Sequence, residues 1–133
     1  MDLYRIILVD DEEVRKSIIK KIDWNAAGFQ VVGDAENGEE ALERIEALEP
    51  DVVLTDIRMP YMDGLTLAEK VRQRFPSTKI VIFSGYDDFE YAKQAIKLNV
   101  TEYILKPVNR FELTDCTSRL LGIREQAETK EEK

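Results

Sequence analysis

The 133-residue chain has no histidine. That excludes a Ser-His-Asp triad, a Cys-His pair and a His-ligated zinc site. Its single cysteine, Cys116, cannot close an intrachain disulfide. With no histidine or second thiol beside it, Cys116 reads as core filler rather than nucleophile. Only four prolines and six glycines are present, and 44% of the residues are hydrophobic, which excludes collagen-like and disordered chains. No apolar run approaches the ~20 residues of a membrane span, and the acidic opening MDLYR is no signal peptide, so a cytoplasmic protein is expected. Positive charge is also scarce. Nineteen basic residues face 27 acidic ones for a net charge of −8, which makes nucleic acid a poor direct partner.

What is present is one domain's worth of alternating patterns, with roughly two thirds of the unfolded surface available for burial. Apolar runs at Tyr4–Val9, Phe29–Val32, Val52–Leu54, Ile80–Phe83 and Tyr103–Leu105 are rich in Val and Ile and show little polar alternation. Strands covered on both faces read this way, which predicts a parallel sheet. Amphipathic segments separate them. Val14, Ile18 and Ile22 follow the acidic turn Asp11-Glu12-Glu13, as suits a helix start. Asn37 stands three residues before Glu40 in a capping-box pattern, followed by Ala41, Leu42, Ile45 and Leu48 and closed by Pro50. Leu67, Ala68, Val71 and Phe75 repeat the pattern before Pro76. Phe89, Ala92, Ala95 and Ile96 repeat it after Asp87-Asp88, and Leu113, Cys116 and Leu120 after a second box at Asn109 and Glu112. Five strands alternating with five helices, joined by right-handed crossovers, predict a doubly wound α/β sandwich. From Glu125 the chain becomes EQAETKEEK, which reads as a fraying helix end or the start of a linker.

Polar residues fall where the apolar runs stop. Asp10 and Asp11 close the first run, Asp56 the third, Ser84 the fourth and Lys106 the fifth. In an open parallel sheet, ligands bind at the carboxyl ends of the strands. Three carboxylates, a hydroxyl and an ammonium are therefore expected to converge on one edge. Carboxylates at ~4 Å and an effective dielectric of 20 repel by about 4 kcal/mol per pair, more than one lysine offsets. A divalent cation offsets it, and an all-oxygen donor set suits Mg²⁺ with waters and phosphate oxygens as its remaining ligands. Asp56 is then a candidate nucleophile, able to form an aspartyl phosphate, with Lys106 and Ser84 to stabilise the transferred group.

Asp10-Asp11, Asp56-x-x-Met59-Pro60-x-x-Asp63-Gly64, Ser84-Gly85 and Lys106-Pro107 closely resemble the receiver domain of bacterial two-component response regulators. The resemblance covers roughly Tyr4 to Leu121. The stretch SGYDDFEYAKQAIKLNVTEYILKPV resembles receivers of the YesN-type subfamily, which are usually followed by an AraC-type helix-turn-helix domain. The resemblance implies a flavodoxin-like (βα)5 fold with strand order 2-1-3-4-5. It implies a receiver over residues 1–124, then a linker at 125–133 leading to a DNA-binding output domain that lies outside this chain. It implies that Asp56 accepts a phosphoryl group from a sensor histidine kinase. Asp11 and Asp56 would hold Mg²⁺ with the backbone carbonyl of Arg58, Asp10 would orient metal-bound water, and Ser84 and Lys106 would contact the phosphoryl group. Tyr103 matches the aromatic switch position. The expected readout surface is the fourth helix, fifth strand and fifth helix, a possible homodimer face. Arg58 and Tyr86 occupy positions expected to tune the lifetime of the phosphoryl group.

Simpler readings stand beside these. Asp10-Asp11 also suits a helix cap. Ser84 alone reads as a turn hydroxyl, Lys106 as a solvated strand end, and Tyr103 equally as a static edge aromatic. A haloacid-dehalogenase-type phosphatase also uses an aspartyl phosphate, but it needs a second acid where Arg58 stands. A degenerate receiver acting as a constitutive binding module is the third reading.

Overall fold

Five strands form where the sequence carries runs rich in Val, Ile and Leu. In the computed structural model the described residues are 3–57, 59–84, 102–105 and four single positions, Lys93, Lys97, Asp115 and Arg119. The elements are β1 (Tyr4–Val9), α1 (Glu12–Lys21), β2 (Phe29–Ala35), α2 (Gly38–Leu48), β3 (Val52–Thr55), α3 (Gly64–Arg74), β4 (Lys79–Ser84) and β5 (Glu102–Leu105). All strand pairs are parallel, in the order β2-β1-β3-β4-β5. This is the expected flavodoxin-like order. The four single positions are helical and exposed. Otherwise the expected fourth and fifth helices, the Asn109 box, Cys116 and the acidic tail lie outside the described residues.

Period-two alternation within the strands builds two cores. Ile6, Leu8, Val52, Leu54, Val81 and Phe83 point to one face, where Ile18 and Ile22 from the α1 segment cover them. Trp24 stands edge-on to Phe29 on this face, with ring centroids 6.3 Å apart. Ile7, Val9, Val53, Ile80 and Ile82 point to the other face, under Ala41 and Ile45 of α2 and Leu67, Ala68 and Val71 of α3. A sheet loaded on both sides hides both of its faces from water, which is why its strands lack polar alternation.

Each of α1, α2 and α3 starts on a side-chain cap. The carboxylate or amide oxygens of Asp11, Asn37 and Asp63 accept from the amides of Val14, Glu40 and Thr66, at 2.9, 2.9 and 2.7 Å. Each satisfies a backbone donor that the helix itself leaves unpaired. Glu40 turns its own carboxylate forward to Arg44 at 3.2 Å. Beside the first cap, Lys16 holds Glu12 below its ordinary range, by hydrogen bond first and by charge second. A depressed carboxyl contributes stability above its unfolded pKa and loses it as pH falls through the folded one. Both groups are exposed, so the effect is small.

The second strand is longer than its apolar run predicts, extending past Val32 to Ala35. Its pairing with β1 shifts between Ile6 and Ile7. Ile6 opposes Val31 and Ile7 opposes Gly33, which leaves Val32 as the extra residue of a bulge. β2 is an edge strand, so Gly33 and Asp34 can continue it without presenting an apolar pattern.

At the opposite end of the sheet, Arg5 stitches β1 to the end of α2. Its guanidinium donates to the carbonyl of Leu48 and, at 3.4 Å, to that of Glu49, while its amide donates to Asp51 at 2.8 Å. Glu49 itself is left-handed, with φ 46°. The guanidinium thus serves helix carbonyls that have no partner within the helix. Arg5→Ala is expected to cost about 1.5 kcal/mol, the value of a charge-assisted hydrogen bond, and urea unfolding would show it as a lower midpoint at unchanged slope.

Candidate functional site

The chain leaves β1, crosses to β2 on one side and returns to β3 on the other. β1 and β3 therefore flank the point where the strand order reverses, and a crevice opens there at the carboxyl edge. The last pair in their register is Val9 with Thr55, so Asp10 and Asp56 are the next residues on adjacent strands. The Asp56 amide donates to the Val9 carbonyl at 2.9 Å, and the Asp10 amide to the Ala35 carbonyl at 3.1 Å. Counting in twos along each strand, Asp10 follows Ile6 and Leu8, and Asp56 follows Val52 and Leu54. Both acids thus leave the sheet on the α1 side.

Each carboxylate has a local anchor. Asp10 is 2% exposed and accepts the Asp11 amide at 2.7 Å. Asp11 is exposed and caps α1 through Oδ1. Asp56 is half-buried and accepts the Ile57 amide at 2.8 Å. Among the described residues, no three acidic side chains lie close enough together to hold a metal ion by themselves. The sequence predicts three crowded carboxylates; the backbone brings Asp10, Asp11 and Asp56 to one edge, and a nearby amide donates to one oxygen of each. The donor set is still all oxygen. Mg²⁺ takes only one or two protein carboxylates beside waters and phosphate oxygens, so these residues fit that cation.

The loop after Asp56 is built by close approach. The buried Thr55 hydroxyl donates to the Asp56 carbonyl at 2.9 Å, and the Gly64 amide donates to the Ile57 carbonyl at 2.7 Å. A Cβ on Gly64 would lie 2.0 Å from the Asp56 carbonyl oxygen. Gly38 is tight in the same way, since a Cβ there would stand 2.4 Å from the Met62 carbonyl. The amino end of α2 thus rests on the same loop. Between these contacts the chain turns sharply, with the Met62 amide donating to Pro60 at 2.7 Å and Tyr61 at φ 68°. The Met59-Pro60-x-x-Asp63-Gly64 motif is accordingly the turn that runs from Asp56 to the cap of α3.

Ser84 ends β4, where its backbone pairs with Leu105, and Tyr103 pairs with Ile82. Only the backbone of these two residues is described, so the switch expectation for Tyr103 and the hydroxyl role of Ser84 lie outside the described side chains. Lys106, which follows β5 directly, lies outside the described residues, as do Arg58 and Tyr86. Thr55 and Arg15 were not legible as site residues. Thr55 reads as one more β-branched strand residue, and Arg15 as a solvated helix charge.

A doubly wound parallel sheet with acids at its β1/β3 reversal defines a class of phosphate-handling α/β domains, and comparison places the chain within it. The chain belongs to the response regulator receiver domain family, whose model matches residues 6–118. It is 39% identical over 121 residues to an uncharacterized transcriptional regulatory protein, YesN, of Bacillus subtilis, covering 90% of this chain and 33% of that protein. It is 35% identical over 120 residues to the transcriptional regulatory protein HptR of Staphylococcus aureus, covering 90% of this chain and 47% of that protein. The chain therefore spans between a third and a half of these relatives. Among solved structures it is similar to the REC domain of AraT, a response regulator from Geobacillus stearothermophilus. That match has a TM-score of 0.89 at 38% identity and covers 95% of this chain and 98% of the other. A CheY-like receiver domain protein from Methanospirillum hungatei gives 0.84 at 28% identity, covering 95% and 99%. The chain is thus a receiver of the two-component type, with the phosphoacceptor signalling role that defines the family.

Proposed function

We propose that this receiver takes a phosphoryl group on Asp56 from a phosphohistidine of a sensor kinase, with Mg²⁺ as cofactor. The observation that carries the reading is the position of Asp56, directly after β3 at the strand-order reversal and beside the buried Asp10. An Asp56 carboxylate oxygen attacks phosphorus. The P–O bond forms as the P–N bond to the kinase imidazole breaks, and the electron pair leaves on that nitrogen. Bound Mg²⁺ would neutralise charge on the phosphoryl oxygens, held by Asp11 and Asp56 and by the backbone carbonyl of residue 58, with Asp10 orienting its water. Lys106 and the Ser84 hydroxyl complete the set of donors.

The product adds about −1.5 to −2 charges and strong acceptor oxygens at the sheet edge. Only differential contacts with those oxygens can shift an inactive–active equilibrium. Tyr103 and the surface formed by the fourth helix, β5 and the fifth helix are the proposed readout, with a homodimer as one output. The greater length of the relatives named as transcriptional regulators supports a role for the domain in governing an attached DNA-binding domain. No helix among the described residues is long and apolar enough to cross a membrane, and the proposed location is the cytoplasm.

The test is the intact mass after incubation with acetyl phosphate. One phosphate adduct that forms with Mg²⁺ and is suppressed by a chelator is expected. No adduct at any Mg²⁺ concentration defeats the reading.

A further inference from the structure

Arg15 is a charged residue buried on α1, only 8% exposed. Its Nε lies 3.7 Å from Asp34 and its Nη2 3.6 Å from Glu36. Those acids bracket Ala35, whose carbonyl receives the amide of Asp10 at 3.1 Å. We propose that Arg15 is a positioning residue: its guanidinium spans Asp34 and Glu36, holds the end of β2 against β1, and so fixes the backbone of Asp10 at the edge that receives the cation. The assignment rests on the reading of Asp10 as a metal-facing acid.

The need for such a hold follows from the strand. β2 is paired on one side only, and its register slips at Val32, so the three pairs beyond the slip are Ile7 with Gly33, Leu8 with Asp34 and Val9 with Ala35. Gly33 has no side chain to pack, and the Asp34 and Glu36 side chains are about half exposed. Ala35 is buried in the core under α2, but Gly33 and Asp34 before it and Glu36 after it add no apolar side chain to that one small anchor, and the Asp10 amide hangs from its carbonyl. Arg15 also reaches the neighbouring acid through its backbone, since its amide donates to the Asp11 carbonyl at 3.0 Å. That second bond is the first turn of α1, which any residue but proline would make, so the side chain's own hold is on β2 alone. Partly exposed ion pairs of this length add little to global stability, so the consequence is local geometry. A lysine keeps the charge but cannot reach two carboxylates from one planar fork.

Arg15→Lys is the direct test because it leaves the net charge beside the cation unchanged. Partners of metal-ligating residues are typically worth tenfold or more in affinity; Arg15 acts through β2 on an acid that itself acts through water, so a smaller effect is expected. The variant is expected to exchange the Asp10 amide hydrogen about tenfold faster and to bind Mg²⁺ alone about threefold more weakly, with its unfolding midpoint nearly unchanged. Saturating Mg²⁺ should restore the wild-type phosphorylation rate, which a general loss of fold would not allow. The double variant Asp34→Asn/Glu36→Gln changes two half-exposed acids and should speed Asp10 exchange in the same way; it decides the matter if Arg15→Lys does not fold. Unchanged Asp10 exchange in either folded variant overturns the assignment while leaving the phosphoacceptor reading intact. Wild-type protein that binds no Mg²⁺ instead defeats that reading, and Asp10 exchange still judges the hold on β2.

Discussion

Asp56→Asn protein, incubated with Mg²⁺ and acetyl phosphate, is expected to keep its unmodified mass while wild type gains one phosphate. Asparagine has the shape of aspartate, and its amide oxygen can still accept from the Ile57 amide, which Asp56 now does at 2.8 Å. What it lacks is a nucleophilic anion. The Asp56 backbone is held independently of that charge, its amide donating to the Val9 carbonyl and its carbonyl accepting from the Thr55 hydroxyl. The fold should therefore survive. Removing one of several acids from a single edge relieves repulsion, so the urea midpoint should stay level or rise. An undiminished adduct on Asp56→Asn would place the chemistry at another residue. A variant that does not fold would show that the carboxylate is structural.

Gly64→Ala is expected to have the larger effect on the fold. Two forces compete at this position. Alanine is favoured over glycine within a helix by about 1 kcal/mol, and Gly64 opens α3. Against that, the new Cβ would meet the Asp56 carbonyl oxygen at 2.0 Å, its carbon at 2.9 Å and the Ile57 Cα at 3.0 Å. These are backbone atoms and cannot rotate away. The Asp56 carbonyl is further fixed by the Thr55 hydroxyl, and the Gly64 amide by the Ile57 carbonyl. Overpacking typically costs about 1–3 kcal/mol even where side chains can yield; here the upper end or beyond is expected. Either α3 moves off the sheet or the Asp56 turn is displaced. The measurement is urea unfolding paired with the phosphorylation rate, and both should fall. A fully stable variant with normal phosphorylation would mean that the α3 entrance adjusts more easily than this packing implies.

The two variants probe features that differ in how openly the sequence displays them. Asp56 is legible because it breaks a buried run, VVLT, at the end where open parallel sheets bind ligands. Gly64 is legible as a turn glycine within a motif, but its contact with Asp56 eight residues away belongs to the folded chain. The strands were readable for a physical reason, since a sheet covered on both faces leaves an almost unbroken apolar signature in Val52–Leu54 and Ile80–Phe83. The apolar run of β2 stops short of the strand's end because an edge strand can run on through Gly33 and Asp34 with no such signature. Arg15 was hidden for the opposite reason. Helical spacing places it among charged residues, and its burial arises only when the end of β2, distant in sequence, folds beside it. The starts of α1 and α2 are plain in the sequence, because Asp11 and Asn37 act within three residues of themselves, whereas Asp63 stands in a motif that reads as a turn and its cap on α3 belongs to the folded chain.

Those starts carry one more consequence. Asp11 gives Oδ1 to the Val14 amide, and Asn37 does the same work for α2 with a neutral amide at the same 2.9 Å. Exchanging one oxygen of Asp11 for an NH2 group would therefore strip its charge yet leave the helix properly begun. If Asp11 holds Mg²⁺ as proposed, a lineage can fall silent by so slight a change and still inherit the whole scaffold. Two descendants with superimposable outlines can then differ completely in whether they answer a signal, and resemblance of shape alone does not tell them apart.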